Sequence, residues 1–334
     1  MSSTDVPAST TMRAIVQDTY GSADVLRLGR IARPQIVDDE ILVHVHAAGL
    51  DRGTWHLMAG RPYLMRILGF GFRAPKNLVP GLDVAGTVAA VGSAVTRFTI
   101  GDEVFGISRG SFAEYAAVRE DKLSGKPGNL TFDQAAAVPI SAGTALQALT
   151  DAGKVRQGQR VLIVGASGGV GSYAVQLAKA FEAEVTGVCS TAKLDLVTSL
   201  GADHVIDYTR QDFADGPGRY DLILDIAGNT SLPRLRSVLT PTGTLVIVGG
   251  EEGGRWTGGL GRSLLAPLLS PFVRQQMTML VSRERASDLA RLTPLIEGGK
   301  VTPSIDRTYP LDRVPDAMRH LEAGNVRGKV VITM

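Results

Sequence analysis

The chain has 334 residues, enough for two domains, and its 35 Lys and Arg residues nearly balance its 33 Asp and Glu residues. This balance gives no basic stripe of the kind that binds nucleic acid, and the single cysteine excludes an internal disulfide framework. No run of about 20 apolar residues could span a bilayer, and residues 1–11 lack a signal sequence. We therefore expect a disordered tail over residues 1–11 and a cytoplasmic protein.

The first part of the chain is predicted to be a β domain. Short apolar or alternating segments are separated there by glycine-containing turns. The predicted strands cover residues 12–17, 40–47, 83–91, 103–107 and 112–118. Several short strands at this spacing favour a compact, barrel-like domain.

Two histidines share one face of the second predicted strand. His44 and His46 are two residues apart, so they could bind a metal together. They could instead form the polar face of that strand, which is the interpretation we favour.

The segment 160–181 carries the most informative motif of the chain. The apolar strand 161–164 is followed by a glycine-rich turn and then by apolar residues at helical spacing. Strand, glycine turn and helix in this order form a phosphate cradle, because free backbone N–H groups and the helix dipole converge there. We predict that a dinucleotide binds at this turn. The predicted contacts are Ala166, Ser167, Gly168, Gly169, Val170 and Gly171.

The next predicted strand, 184–189, bears on which dinucleotide binds. An NAD site usually has an acidic residue near the end of this strand, which accepts from the ribose 2′-hydroxyl. Here the strand is followed by Ser190, Thr191 and Lys193, whose hydroxyls and ammonium suit a 2′-phosphate. They predict NADP(H), with Tyr208 as a further candidate contact. The alternative is that Ser190 caps the next helix, Lys193 is solvated and Tyr208 faces solvent.

Strands and helices continue to alternate after the glycine turn. We predict strands over 204–207, 220–226 and 244–248, with helices over 192–200 and 232–239. This order indicates a parallel sheet, whose ligands lie beyond the carboxyl ends of its strands. Two loops at such ends are candidates to contact the nicotinamide half, although they could be ordinary connections. They contain Ala227, Gly228, Gly249 and Gly250.

The whole arrangement resembles the medium-chain dehydrogenase/reductase superfamily, most closely its zinc-free quinone oxidoreductase branch. The resemblance runs from about residue 12 to residue 334. It is carried by the segments 80–86 (PGLDVAG), 101–105 (GDEVF), 135–139 (AAAVP), 165–171, 200–208 and 328–331 (GKVV).

This resemblance implies an α/β fold with two domains. A GroES-like β-barrel catalytic domain would cover residues 12–132 and 284–334, because the strand-like segments 301–309 and 328–333 would return to it. A Rossmann domain, a doubly wound parallel sheet, would cover residues 133–283. The resemblance also implies a homodimer, an active site between the domains, and Thr144 close to the cofactor.

The resemblance places Ser190, Lys193 and Tyr208 where NADPH-specific relatives hold the 2′-phosphate. Some relatives add a C-terminal arginine at that place. We expect no counterpart here, because Gly324 stands near the corresponding position.

Two differences from zinc-dependent members predict that no metal is used. Those members have a cysteine in the stretch that here reads AAGLD (residues 47–51), and Gly-His-Glu where this chain has Gly81-Leu82-Asp83. Asp51 and Asp83 alone would make a poor zinc site.

Without a Lewis acid, reduction of an activated acceptor is easier than oxidation of a simple alcohol. We therefore expect NADPH-dependent hydride transfer to a quinone or an α,β-unsaturated carbonyl. The alternatives are a zinc-free alcohol or aldehyde dehydrogenase of the same fold, and a low-turnover NADPH-binding sensor or scaffold.

The candidate catalytic residues lie between residues 51 and 63. Tyr63 or His56 would donate a hydrogen bond or proton to the substrate, and Asp51 would orient the nicotinamide ribose or His56. All three could instead be polar lining of the cleft. The apolar segments 63–72 and 256–273 suit the walls of a pocket for a small, flat, hydrophobic substrate, or else a dimer contact or part of the core.

Overall fold

The computed structural model describes residues 10–216, 218–250, 254, 256–270 and 273–334. Positions 1–9 of the expected N-terminal tail lie outside the described residues. Positions 271 and 272 of the second predicted wall segment also lie outside them. The strands are β1 (Thr11–Val16), β2 (Arg27–Ala32), β3 (Glu40–Leu50), β4 (Asp83–Val91), β5 (Glu103–Ile107), β6 (Tyr115–Arg119), β7 (Leu123–Gly125), β8 (Arg160–Val164), β9 (Glu184–Cys189), β10 (His204–Asp207), β11 (Tyr220–Asp225), β12 (Leu239–Ile247), β13 (Gln276–Met279), β14 (Ile305–Pro310) and β15 (Lys329–Thr333). The α-helices are α1 (Arg52–Ala59), α2 (Phe132–Ala136), α3 (Pro139–Gln147), α4 (Gly169–Ala180), α5 (Leu194–Ser199), α6 (Leu232–Ser237), α7 (Leu260–Leu269), α8 (Ala286–Glu297) and α9 (Val314–Glu322).

The nucleotide-binding half is built on a parallel sheet. Within the described residues its strand order is β10-β9-β8-β11-β12-β13, and every neighbouring pair is parallel. Alternate residues of β8 enter different cores: Val161 and Ile163 belong to one apolar cluster, Leu162 and Val164 to another. The sheet is therefore covered on both faces, which explains why β8 is apolar at successive positions. This confirms the predicted doubly wound sheet.

The other half is built on a mostly antiparallel sheet. Its order is β14-β15-β3-β4-β5-β7, with β6 also paired to β3. Residues Ala47–Leu50 of β3 pair with Val330–Thr333 of β15, so the end of the chain returns to this sheet as expected. A separate ribbon of β1 and β2 contacts it through a bridge between Ala14 and Ala113.

The two halves share one apolar core. Ala47, Ala85 and Phe105 of the β sheet belong to the same buried cluster as Tyr173 of α4 and Leu222 of β11. Because this contact is apolar and buried, it fixes how the two halves face each other across the cleft. Among the described residues, we find no helix that is both long and apolar enough to cross a membrane.

Candidate cofactor site and catalytic cleft

The glycine turn connects β8 to α4, and two of its glycines have different structural roles. A Cβ on Gly171 would lie 2.1 Å from the carbonyl oxygen of Gly165, so only glycine lets the helix pack this closely on the strand end. A Cβ on Gly168 would meet only that same oxygen, at 3.7 Å, which is ordinary contact distance. The space above Gly168 is therefore open, as close approach of a pyrophosphate requires.

The donors of the turn are at the start of α4. The N–H of Ala166 is already bound to the carbonyl of Val188 at 3.0 Å, so Ala166 offers no free donor. The first residues of α4, Gly169, Val170 and Gly171, carry the N–H groups that have no partner within a helix. With the helix dipole, they are the donors that suit an anion at this turn, so the predicted contacts of Gly169, Val170 and Gly171 stay a prediction.

A buried ion pair supports the turn from behind. The Lys329 ammonium donates to the Asp83 carboxylate at 2.9 Å and to the Ser141 hydroxyl at 3.1 Å, and the two charged side chains are 1% and 0% exposed. A Cβ on Gly169 would lie 3.2 Å from the Lys329 side chain. Next to it, the N–H of Gly328 donates to the carbonyl of Ser167 at 2.9 Å. The start of β15 therefore braces the phosphate turn.

Burial dominates the electrostatics of this pair. It raises the pKa of the Asp83 carboxyl to about 6, although the neighbouring Lys329 opposes the shift. The N–H of Ile140, which also donates to Asp83 at 2.7 Å, likewise favours the carboxylate. In the sequence Lys329 is only one residue of the GKVV segment, and no local pattern predicts its role. Only the tertiary fold brings it to Asp83.

The loop after β9 differs in part from both sequence interpretations. Ser190 does occupy the N-cap position of the short helical turn Thr191–Lys193, but its hydroxyl makes no capping hydrogen bond. Lys193 is not simply solvated, because its ammonium donates to the carbonyls of Gly324 and Val326, each at 2.9 Å. Partial burial of this ammonium lowers the pKa of Lys193. One of its three N–H donors is left for another acceptor.

The other two predicted contacts at this end are less favourably arranged. The hydroxyl of Thr191 donates to Asp207 at the end of β10, which lowers the pKa of that carboxyl. Thr191 therefore has no free hydrogen for a phosphate in this rotamer. Tyr208 is 62% exposed and faces solvent at the edge of the site.

A C-terminal arginine does reach this loop, which corrects the expectation drawn from Gly324. Arg327 donates to the carbonyl of Ala192 at 2.9 Å and to the Asp195 carboxylate at 2.6 Å. Lys193 and Arg327 thus bring two positive charges to the loop that follows Ser190. Arg327 is only three residues beyond Gly324 in the sequence, but only the fold shows that its side chain reaches the loop.

The loops predicted to contact the nicotinamide half meet at one edge of the sheet. The N–H of Ala227 donates to the carbonyl of Val164 at 3.1 Å, beside the glycine turn. Gly228 has a positive φ of 73°, and a Cβ on it would lie 2.7 Å from the carbonyl oxygen of Gly249. Gly250 packs against Gly259, whose N–H donates to it at 3.3 Å. These contacts bring the ends of β8, β11 and β12 together, as the parallel order requires.

Thr144, which the resemblance implied to be near the cofactor, lies on α3. Its hydroxyl is 3.2 Å from the hydroxyl of Ser282, on the segment that leads from β13 back toward the β sheet. The contact of Thr144 with the cofactor stays a prediction.

His56 lies on α1, a helix that the sequence did not predict, and Asp51 directly precedes this helix. Asp51 is the N-cap, and its Oδ1 accepts from the N–H of Thr54 at 2.8 Å. Its Oδ2 is buried with no hydrogen-bond partner among the described residues. The Nδ1 of His56 lies 2.9 Å from the carbonyl oxygen of Arg61; since a carbonyl only accepts, we assign the hydrogen to Nδ1. Asp51 therefore does not orient His56 in this structure.

Tyr63 joins the two predicted wall segments. Its ring is perpendicular to the ring of Trp256, with 5.5 Å between the centroids, and the N–H of Leu64 donates to the Trp256 carbonyl at 3.0 Å. The Arg66 guanidinium lies 4.6 Å from the centroid of the Tyr63 ring. The segments 63–72 and 256–270 therefore contact each other at Tyr63, Leu64 and Trp256.

The donor set does not fit a zinc ion. His44 stacks on Tyr115 and His46 on Phe132, and searching the described part of the chain gives no group of three or more His, Cys, Asp or Glu side chains that could hold a metal. The Asp83 carboxylate is already bound by Lys329, whose positive charge would repel a second cation.

Known proteins resemble this chain over nearly its full length. Two family models match it: the alcohol dehydrogenase GroES-like domain over residues 37–128, and the zinc-binding dehydrogenase family over residues 200–332. The chain is 36% identical to 2-methylene-furan-3-one reductase of Solanum lycopersicum, over 99% of this chain and 81% of that protein. It is 37% identical to the chloroplastic NADPH-dependent alkenal/one oxidoreductase of Arabidopsis thaliana, over 96% and 79%. The solved quinone oxidoreductase of Coxiella burnetii has a TM-score of 0.85 and 29% identity, covering 97% of this chain and 99% of its own.

Proposed function

The chain belongs to the medium-chain dehydrogenase/reductase superfamily, in its quinone oxidoreductase branch, and we propose that it reduces α,β-unsaturated carbonyls or quinones with NADPH and without zinc. It is an oxidoreductase that uses a nicotinamide cofactor. The choice of NADPH, the independence of zinc and the acceptor are the parts that we propose.

The observation that carries the choice of NADPH is the pair of cations at the loop after β9. Lys193 and Arg327 both reach this loop, and Ser190, whose hydroxyl has no hydrogen-bond partner among the described residues, lies between the strand and Lys193 in sequence. Arg327 is partly neutralised by its pair with Asp195, so Lys193 is the cation that we expect to favour a dianionic 2′-phosphate over a neutral ribose hydroxyl. The name of the Arabidopsis thaliana relative supports the same cofactor.

The donor set argues for a reaction without zinc. The place that would hold zinc ligands in other members has an Asp83–Lys329 pair, so Asp83 is already bound by a cation, and Asp51 alone supplies too few ligands for a zinc ion. An enone or quinone needs less activation than a simple alcohol, because negative charge in the transition state spreads over a conjugated oxygen. Both relatives named as reductases of unsaturated carbonyls support an acceptor of this kind.

When bound, NADPH supplies the hydride from its nicotinamide ring. The chain then has to hold the substrate in the cleft and donate a hydrogen bond to its oxygen. Tyr63 is the donor we favour, because its hydroxyl has no hydrogen-bond partner among the described residues. His56 is the second candidate; its Nδ1–H is bound to Arg61, so it would act through Nε2 and only when protonated.

We also propose a homodimer. Within the part of the chain that the structure describes, β13 is an edge strand with no neighbour on its second side, and Val281, which follows it closely, is 69% exposed. Open edge strands pair readily with a second chain. Light scattering of the purified protein tests this directly, and a monomeric mass would contradict it. The cytoplasmic location stays a prediction, since the relatives include a chloroplastic enzyme.

The experiment that tests the function follows NADPH absorbance with protein treated with a chelator. The acceptors are a simple enone, para-benzoquinone and an aldehyde, with NADH in parallel. We expect consumption with the enone or the quinone, a preference for NADPH and no loss of activity on chelation. Stoichiometric zinc in the active protein would contradict the metal-free mechanism. Tight NADPH binding with no consumption would favour the sensor alternative, and steady oxidation of alcohols by NADP⁺ would favour the dehydrogenase.

A further inference from the structure

Trp256 is an exposed aromatic residue at the junction of the two halves. Trp256 is 71% exposed, so much of its surface is left to contact a ligand. Its loop is anchored on the nucleotide-binding side, where the N–H of Gly259 donates to the carbonyl of Gly250 just beyond β12. On the other side, its own carbonyl accepts from Leu64. Trp256 is therefore linked both to the loop just beyond the carboxyl end of β12 and to the segment that follows α1, and parallel sheets bind their ligands beyond such carboxyl ends.

Tyr63 meets Trp256 at a right angle, and its own position is tightly held. The rings are at 90° with 5.5 Å between centroids. The Arg66 guanidinium lies between the rings of Tyr63 and Tyr20, 4.6 Å and 4.2 Å from their centroids, and its Nε donates to the carbonyl of Gly60 at 2.7 Å. The two rings thus form a corner with one rigid side and one exposed side.

We propose that Tyr63 and Trp256 form an aromatic corner that makes the enzyme prefer enones carrying a flat ring on the β-carbon of the conjugated system. The inference rests on the proposed function and names a substrate class for it. A planar ring in this corner can stack on one aromatic side chain and contact the other edge-on, and both geometries are favourable. A methyl or short alkyl group at the same place can make neither contact.

The test compares two enones that differ in one substituent. Benzylideneacetone carries a phenyl ring on the β-carbon, and ethylideneacetone carries a methyl group there. We expect wild-type protein to prefer the phenyl compound in kcat/KM, and Trp256→Leu to lower that preference about tenfold, the size of a lost aromatic pair. Trp256→Phe should restore most of the preference, because it keeps an aromatic ring.

Tyr63→Phe is the matched control. It keeps the ring of the corner and removes only the hydroxyl, so we expect the rates with both enones to change by a common factor while their ratio stays constant. An unchanged ratio in Trp256→Leu would overturn the proposal. A changed oligomeric state in that variant, with an unchanged ratio, would show that Trp256 is a contact between copies of the chain instead.

A binding measurement separates this inference from the proposed function. Trp55→Phe leaves Trp256 as the single tryptophan, since the chain has two. With NADP⁺ bound, we expect benzylacetone, the saturated phenyl ketone, to change the fluorescence of Trp256, and methyl propyl ketone to have little effect. If the wild type reduces neither enone but benzylacetone still binds, the proposed reaction fails and the corner stands. If benzylacetone does not bind, the corner is wrong whatever the reaction.

Discussion

The Lys193→Ala variant tests the cofactor choice most directly. The Lys193 ammonium has three donors, and the carbonyls of Gly324 and Val326 accept from two of them. One donor is therefore left for a 2′-phosphate. Losing one charge-assisted hydrogen bond costs about 1.5–3 kcal/mol, which weakens NADPH binding by about 10- to 150-fold. NADH has no 2′-phosphate, so its affinity should change by less than about threefold.

Titration calorimetry with both cofactors measures this effect. Lys193 also holds the segment around Gly324, but loss of that support alone would weaken NADPH and NADH equally. Lys179→Ala is the matched control, because it removes an ammonium from the same half of the molecule, where Lys179 is paired with Asp203. Equal losses for the two cofactors in Lys193→Ala would refute the phosphate contact.

Three further predictions concern stability and the turn. Gly168→Val should abolish tight NADPH binding with an unchanged melting temperature, because a Cβ there meets only one atom, at 3.7 Å. Gly171→Val should instead destabilise the fold, because a Cβ there would lie 2.1 Å from the carbonyl oxygen of Gly165. Normal binding by the Gly168 variant would show that the cofactor lies elsewhere. Burial holds the pKa of Asp83 at about 6, above its ordinary 3.8, so the folded state binds the proton more tightly. Relative to Asp83→Asn, wild-type protein should therefore lose stability as pH rises from about 4 to about 6 in denaturant titrations; a constant or growing difference would contradict this. Asp51→Asn keeps an effective N-cap and should retain activity if Asp51 only caps α1, whereas Asp51→Ala should cost about 1 kcal/mol of stability. A large loss of kcat in the Asn variant would instead return Asp51 to the catalytic machinery.

Sequence reasoning succeeded where the signal is local. β4, β5, β9 and β10 begin and end at the predicted residues, because each is a short apolar or alternating segment bounded by turn residues. The glycine turn was equally readable, since the strand, turn and helix that form it are consecutive. The backbone conformation of such a segment depends little on distant residues.

It failed where an element is weak on its own. α1 contains Gly53, Thr54 and Trp55, which are poor helix formers, and its ends are fixed by the Asp51 cap and by Gly60 at a positive φ of 59°. β13 is a four-residue edge strand whose burial comes from packing against α7. Neither carries the periodicity that predicts an element.

The charged parts of the site depended on long-range contacts. Arg327 and Lys329 lie within three residues of each other, yet one reaches the loop after β9 and the other the interior beside Asp83. No spacing in the sequence distinguishes these two positions. The pairing of β15 with β3 sets them, and that pairing joins segments from opposite ends of the chain.

The same pairing has a consequence for how the protein folds during synthesis. Leu50 in β3 pairs with Val330 in β15, so the ribosome makes the whole parallel sheet before this strand pair can form. Contacts of such separation form late, whereas the parallel sheet, made of neighbouring segments, can fold first as a unit. Until then the apolar second half of β3 has an open edge, which is a site for chaperones or aggregation. When β15 arrives, it closes that edge and places Gly328 and Lys329 behind the phosphate turn in one step. Binding of the cofactor would therefore be gained only by chains whose last strand has docked.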